Sequence, residues 1–320
     1  MQTLQPPLDV GADVSKNQIV VACAEQSFTT RSIANTGAAL LSWLKQLPAG
    51  SRVGMESTGT YHELLAELAH KLGLIVYLLN TKDVRHYAKG VGLRGKTDRV
   101  DAQLIARFVA KEHTKLHPWL PATREQRQLN RLLRRRAMLT PTKAALVQSL
   151  KGLIGCNAQL KALLGRLDAL IGYIDARIQA LIKAHPARRE GYARLQSIVG
   201  VGPVVGSALV SALQRRCFER ADAFVAFCGW DPCARDSGHK RGRRRLSKRG
   251  PGELRRLLYN AAMSAARTKT WKPRYQRERA KGLSRTAALV VLARHIARTA
   301  WSIYTHNTTF DPDRINHGLT

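Results

Sequence analysis

Asp13, Glu56, Asp98 and Asp101 are the residues of this chain best suited to do chemistry. They stand among few other acids, because 22 Asp and Glu face 53 Lys and Arg, for a formal net charge of +31. Mg²⁺ prefers oxygen ligands in octahedral geometry and often joins few carboxylates to substrate phosphates. Carboxylates in so cationic a chain therefore point to a Mg²⁺ site on a protein that holds nucleic acid. Asp98 and Asp101 are three residues apart at the start of an expected helix, so they share a face, with Cβ atoms roughly 5–6 Å apart. Asp13 and Glu56 end separate expected strands. If those strands are neighbours, the two carboxylates meet at one edge of a sheet. A helix docked across the strand ends then completes a four-carboxylate cluster. Two metals about 3.5–4 Å apart would there serve an in-line phosphoryl displacement. Each acid also fits a structural role: Asp98 as a helix N-cap, Asp101 as a partner of the helix dipole, Glu56 as a cap on the turn at Ser57-Thr58-Gly59.

The elements that must position these acids are legible as periodicity. Leu8 to Asp13 is a short apolar run ending in an acid, and Gln18 to Ala24 and Thr29 to Ala34 follow across short turns, as in an antiparallel meander. Leu40, Leu41, Leu44 and Leu47 mark an amphipathic helix. Arg52 to Glu56 is another strand ending in an acid, His62 to Leu72 a helix, Leu74 to Leu79 a strand, and Asp98 to Lys111 a helix with Val100, Leu104, Ile105 and Phe108 on one face. This order describes an α/β domain over residues 1–117.

Composition changes near Pro118 and Pro121. Residues 118–190 form a helical middle region. One stretch carries Leu129, Leu132, Leu133, Leu146 and Leu150, with Pro141 as a kink or division. The next carries Leu160, Leu163, Leu164, Leu167, Leu170, Ile171, Ile174, Ile178 and Leu181. That near-heptad spacing suits a helical hairpin or coiled coil, and equally a plain bundle. Residues 191–305 form a mainly α third part. In it Ile198-Val199-Gly200-Val201-Gly202-Pro203 looks like a helix-hairpin-helix turn, whose backbone N–H groups could meet a phosphate, or like a simple glycine turn between packed helices. Residues 306–320 are expected to be a frayed tail.

The sequence blocks around the acids carry a resemblance. Gly11-Ala12-Asp13-Val14-Ser15-Lys16, then Met55-Glu56-Ser57-Thr58-Gly59-Thr60-Tyr61, then Gly92-Leu93-Arg94-Gly95-Lys96-Thr97-Asp98-Arg99-Val100-Asp101-Ala102 resemble the DEDD transposases of the IS110 family, which also includes the Piv-type DNA invertases. The resemblance implies a RuvC-like N-terminal domain with an RNase H fold and assigns Asp13, Glu56, Asp98 and Asp101 as Mg²⁺ ligands. It continues through Ile198 to Gly202, through Phe224 to Pro232, and through Asp236-Ser237-Gly238 with Leu246-Ser247-Lys248-Arg249-Gly250, which look like the family's C-terminal transposase domain. It thereby assigns Ser237 as a nucleophile that forms a phosphoserine–DNA link. A serine hydroxyl is weak until a base or metal activates it. Arg235, Lys240 and Arg241 could stabilise the developing charge. His239 stands where many members carry a further serine, and Asn80-Thr81 where many carry Asn-Pro.

Partners follow from charge and from the resemblance. Arg235 to Arg256 holds ten Lys and Arg against two acids. Arg241, Arg243, Arg244, Arg245, Lys248 and Arg249 form its densest part, suited to phosphate contacts. Donor and target DNA are the expected substrates. The resemblance adds a bridge RNA, read by shape and backbone, and a homo-oligomer, dimeric or tetrameric in the synaptic complex. The longest apolar runs are too short to span a membrane. The N-terminus lacks signal-peptide order. Five irregularly spaced cysteines argue against a disulfide framework. Cys217, Cys228 and Cys233 fit no zinc knuckle and are expected to be buried and inert. These features describe a reduced, intracellular protein, cytoplasmic and nucleoid-associated in a prokaryote. The favoured function is an insertion-sequence transposase acting as a site-specific recombinase. Alternatives are a Piv-type invertase, a junction-resolving endonuclease using the acids without Ser237, and a nucleic-acid-binding scaffold.

Overall fold

The computed structural model describes residues 6–25, 30–57, 59–93, 97–153, 155–233, 242 and 244–316. The chain divides into two compact units, Met1–Pro121 and Ala122–Thr320.

In the first unit, β1 (Asp9–Val14), β2 (Gln18–Cys23) and β3 (Thr30–Ala34) form the expected antiparallel meander. Then come α1 (Gly37–Leu44), β4 (Arg52–Glu56), α2 (Glu63–Lys71), β5 (Ile75–Leu79), α3 (Thr81–Gly90) and α4 (Asp98–Glu112). The sheet order is β3-β2-β1-β4-β5, with β4 parallel to both β1 and β5. Alternation along the strands sends Val10, Ala12, Val14, Val53 and Met55 to one face, where Leu40 and Leu44 of α1 and Leu65 and Ala69 of α2 cover them. The other face is covered by α3 and α4. Helix α3 was not evident in the sequence because Val84 is its sole buried residue. Its start is local: the Asn80 side chain accepts from Lys82 N at 2.9 Å.

An ion pair sets the register of the central strands. Asp9 and Arg52 are Cα partners across β1 and β4. Arg52 Nε and a terminal nitrogen donate to the two Asp9 carboxylate oxygens at 2.5 and 2.7 Å. This hydrogen-bonded carboxylate raises the Arg52 pKa. Asp9 is 3% exposed, so a one-residue slip would leave a buried charge alone, at a cost of about 3–5 kcal/mol.

The second unit is helical. Helices α5 (Arg124–Ser149) and α6 (Asn157–Lys183) run antiparallel as a hairpin, with ion pairs Arg136–Asp175 and Lys143–Asp168. Pro141 neither kinks α5 into two elements nor ends it. Thr140 and Thr142 hydroxyls donate to the carbonyls of Arg136 and Met138, on either side of the one that Pro141 cannot serve. At the hairpin base Leu129, Ile174, Ile178 and Ile182 join the main core. That core is built from α7 (Pro186–Gln196), α8 (Pro203–Arg215), α9 (Ala221–Phe227), α10 (Gly252–Ala265) and α12 (Arg285–His306), with α11 (Lys272–Ala280) packed against it through Tyr275. Between α9 and α10 a two-stranded stub pairs β6 (Pro232–Cys233) with β7 (Arg245–Leu246). The chain ends in α13 (Asp313–Asn316).

Arg188, 3% exposed, ties the hairpin to the core by donating to Gln214, to the Leu181 carbonyl and to Gln126. Gln126 in turn donates to the Ser211 hydroxyl at 2.9 Å. The segment after α12 does not fray at once. Asn307 turns it in the left-handed region, Phe310 N donates to Ser197 Oγ at 2.9 Å, and the Phe310 ring stacks on Trp271 at 5.9 Å.

A Cβ at Gly11 would lie 2.1 Å from the Ala102 carbonyl oxygen and 2.2 Å from Ala106 N, both backbone of α4. Gly11→Val should therefore lower stability by about 3 kcal/mol, read as an earlier urea midpoint. Gly37→Ala, with open space at its Cβ position, should change stability by less than about 1 kcal/mol.

Candidate active site and nucleic-acid interface

The register pinned by Asp9 and Arg52 decides where the acids lie. Ala12 pairs with Met55, so Asp13 and Glu56 follow one step later at adjacent ends of parallel strands. Ala12 and Met55 point into the core beneath α1 and α2. By alternation Asp13 and Glu56 point to the opposite face, the face of Gly11 and Gly54 on which α4 lies. Both are half-buried. The expectation that these two strands are neighbours is met.

Helix α4 approaches this face through small residues. Ala102 packs with Val20 and Ala22, the register partners of Asp13 and Gly11. Ile105 and Val109 continue over Gly54. This course takes α4, read from its C-terminal end to its first turn with Asp98 and Asp101, from β4 across β1 to β2. The N-cap is Thr97, whose side chain accepts from Val100 N at 3.3 Å, so Asp98 does not serve as the cap. Both Asp98 and Asp101 stand in the first turn, where the helix dipole favours negative charge. The four acids do not form a closed cluster: among the described residues, no three Asp, Glu, His or Cys lie close enough together to hold a metal ion. Carboxylates at ligand distance repel one another strongly unless a cation lies between them. The donor set itself, oxygen only and at the mouth of two parallel strands, suits Mg²⁺.

The second candidate region is the β6–β7 stub. Ser237, Arg235, Lys240, Arg241 and Arg243 lie outside the described residues. Residues 229–233 and 244–250, on either side of them in sequence, are described and tightly held. Ser247 Oγ donates to the Asp231 carboxylate, and Ser247 N to the Asp231 carbonyl at 3.0 Å. Lys248, with φ +52, donates its N–H to the Gly229 carbonyl. Arg255 of α10 donates to the Gly250 carbonyl at 2.5 Å and to the Cys228 carbonyl at 3.3 Å. Asp231 and Ser247 sit inside the sequence blocks that carry the resemblance, but nothing in the sequence indicates their pairing. Arg255 carried no sequence signal. Arg244, Arg245, Lys248 and Arg249 are exposed in the second of these stretches, as a phosphate-contacting segment requires.

The glycine turn between α7 and α8 has the expected place. Gly200, with φ +98, packs on α10, where a Cβ would lie 2.8 Å from that of Ala265. The Trp271 indole donates to the Val199 carbonyl at 2.9 Å. These contacts fit the packing role of the turn. Gly202 has nothing within 4 Å of its Cβ position, which leaves a phosphate contact open there. The cysteine expectation holds for Cys228 alone, buried and with its thiol pKa pushed up by that burial. Cys217 and Cys233 are exposed.

Gly250→Ala tests this second stretch. A Cβ there would meet the Phe227 carbonyl oxygen at 1.8 Å. The substitution should push β7 and the following turn off α9, abolishing DNA strand transfer while far-UV circular dichroism keeps the helical signal.

Comparison with known proteins agrees with both regions. A transposase model of DEDD IS110 type matches residues 10–155, and a model for the transposase IS116/IS110/IS902 family matches residues 192–276. The pilin gene-inverting protein of Moraxella bovis is 27% identical over 267 residues, 80% of this chain and 81% of the relative. A probable family 20 transposase of Pseudomonas aeruginosa is 27% identical, covering 84% of this chain and 88% of the relative. The transposase for insertion sequence element IS1328 of Yersinia enterocolitica is 26% identical, covering 94% and 98%. With both halves matched in order, the chain belongs to the IS110 family of transposases and is a DNA transposase/recombinase.

Proposed function

We propose that this enzyme moves its insertion sequence by Mg²⁺-assisted site-specific recombination through a phosphoserine–DNA intermediate on Ser237. The observation that carries the reading is the pairing of Asp13 and Glu56 at adjacent strand ends beneath α4. The strand order β3-β2-β1-β4-β5 supports a RuvC-like, RNase H-type first domain. Asp13, Glu56, Asp98 and Asp101 would hold the metal. When bound, it supplies charge neutralisation at the scissile phosphate.

The chain's own groups do the rest. Ser237 Oγ attacks phosphorus; the Oγ–P bond forms and the P–O bond to one sugar breaks. The serine proton passes to a base and the departing sugar oxygen gains one, so the phosphodiester energy is retained for rejoining. Arg235, Lys240 and Arg241 flank Ser237 in sequence and offset the added charge of the phosphorane. Arg243, Arg244, Arg245, Lys248 and Arg249 hold phosphates of the DNA or of a bridge RNA. The exposed Leu163, Leu170 and Tyr173 of the α5–α6 hairpin support pairing of subunits, as two duplexes require. Among the described residues no helix is long and apolar enough to cross a membrane, and a role at the nucleoid follows from the substrate. The similarity to a pilin gene-inverting protein favours one second reading, inversion of a DNA segment by the same chemistry.

Purified protein with element-end RNA, Mg²⁺ and labelled donor and target DNA should yield a covalent protein–DNA adduct. Ser237→Ala and Asp13→Asn should each lower it more than about a thousandfold. Cleaved ends without an adduct, unchanged in Ser237→Ala, would instead mark a hydrolytic nuclease. Omitting the RNA should abolish target choice; retained site-specific joining without it would remove the guide from the scheme.

A further inference from the structure

The second unit has a cavity of about 460 Å³ between α11, α12 and the returning tail. None of the motifs discussed above uses it. Its walls combine guanidinium groups with aromatic faces: Arg274, Arg298 and Arg314, with Trp301, His306 and Phe310. We propose that this pocket holds one unpaired nucleotide of a nucleic-acid strand, its phosphate on Arg274 and Arg298 and its base against Trp301. The inference rests on the recombination reading only for the class of ligand.

Arg274 and Arg298 are half-buried and held by side-chain partners, and Arg314 lies exposed at the rim beside Asp311. A terminal nitrogen of Arg274 lies 2.9 Å from His295 Nε2. A guanidinium has no acceptor, so Nε2 accepts and the His295 ring is neutral, with its proton on Nδ1. Burial, with Arg274, Arg298 and Arg294 nearby, holds the His295 pKa down at about 3. The histidine thus positions Arg274 without adding charge. Arg298 donates through Nε and one terminal nitrogen to a single Asp222 oxygen, at 3.0 and 2.7 Å. Burial and neighbouring arginines lower the pKa of both Arg274 and Arg294. Asp222 and Asp311 offset the charge of Arg298 and Arg314, which leaves Arg274 beside a neutral histidine as the excess cation for an incoming anion, and planar guanidinium forks match phosphate.

The other wall fits a base. The Trp301 indole is fixed by donating to the Phe218 carbonyl at 2.9 Å, and His306 packs edge-on against it at 5.7 Å. The pocket volume falls in the range of small-ligand sites. Bases stacked in a duplex have both faces covered, so an aromatic wall selects an unstacked one. Arg294, one turn before Arg298 on α12, feels both Asp222 and Asp231, and Asp231 is held by Ser247. An acidic peptide could satisfy the arginines but gains less from the aromatic wall.

The test uses the full chain and a single-stranded oligodeoxynucleotide carrying 5-iodouracil, irradiated alone and as a duplex. Peptide mapping should place the crosslink on Trp301 or His306, with the duplex yielding much less. Arg274→Gln, and Arg314→Gln at the rim, should each lower this crosslink about tenfold with the melting temperature unchanged. Polyglutamate should compete worse than deoxynucleoside monophosphate. A crosslink found elsewhere, equal in the duplex, unchanged in both variants, or displaced better by polyglutamate would overturn the proposal. The Ser237 adduct assay runs in parallel. An adduct without the pocket crosslink sinks the pocket alone; the crosslink without an adduct keeps the pocket and sinks the serine chemistry.

Discussion

Helix α4 lies directly on the backbone of β1, and the sheet face that carries Asp13 and Glu56 depends on that contact. The approach exists because Gly11 has no side chain and because Ala102 and Ala106 have small ones. Any Cβ at position 11 would overlap the backbone of α4. The close approach lays α4, with Asp98 and Asp101 in its first turn, on the same sheet face as Asp13 and Glu56. The same logic applies at Gly54, where Val109 and Ile105 occupy the missing side chain's place. Two glycines and two alanines therefore set how closely α4 lies on the sheet.

The Asp9–Arg52 pair works with this contact. It is the buried charge on β1 and β4, and it sits at the opposite end from Asp13 and Glu56. Its bidentate geometry admits one register, and that register sets Asp13 beside Glu56 rather than a residue away. The acid that is locked is structural. Asp13 and Glu56, at the other end of these strands, are half-buried on the face that α4 covers.

The second unit solves a different problem, how to keep many cations in place with few acids. Arg188 is held by neutral amides and a carbonyl, Arg255 by two carbonyls, and Arg274 by a neutral histidine. Hydrogen bonds to neutral acceptors orient a guanidinium without cancelling its charge. That leaves the positive field of the unit available to phosphate, consistent with 53 basic residues against 22 acids. The cost is desolvation, seen as lowered pKa values at Arg188, Arg274 and Arg294.

The sequence by itself determined the elements whose apolar period is strong. The meander, β4, α2, β5 and α4 fall within a residue or two of expectation, because alternation and the 3.6-residue repeat survive any packing. It also determined the family, through short blocks whose residue types are chemically demanding. Helices α3 and α11 show no period because they offer few apolar residues, and α9 shows none because its 7 residues are apolar at every position but Asp222. Pairings between distant residues were equally hidden. Asp9 with Arg52, Asp231 with Ser247, and Arg274 with His295 each join groups whose separation in sequence says nothing of their contact. The face on which Asp13 and Glu56 emerge was also a tertiary decision, since alternation offers two faces and only the docking of α4 and α1–α2 distinguishes them. Apolar periodicity is a local property and can be read along a chain. Register, buried ion pairs and cavities arise where separate elements meet, so they exist only once the chain has folded.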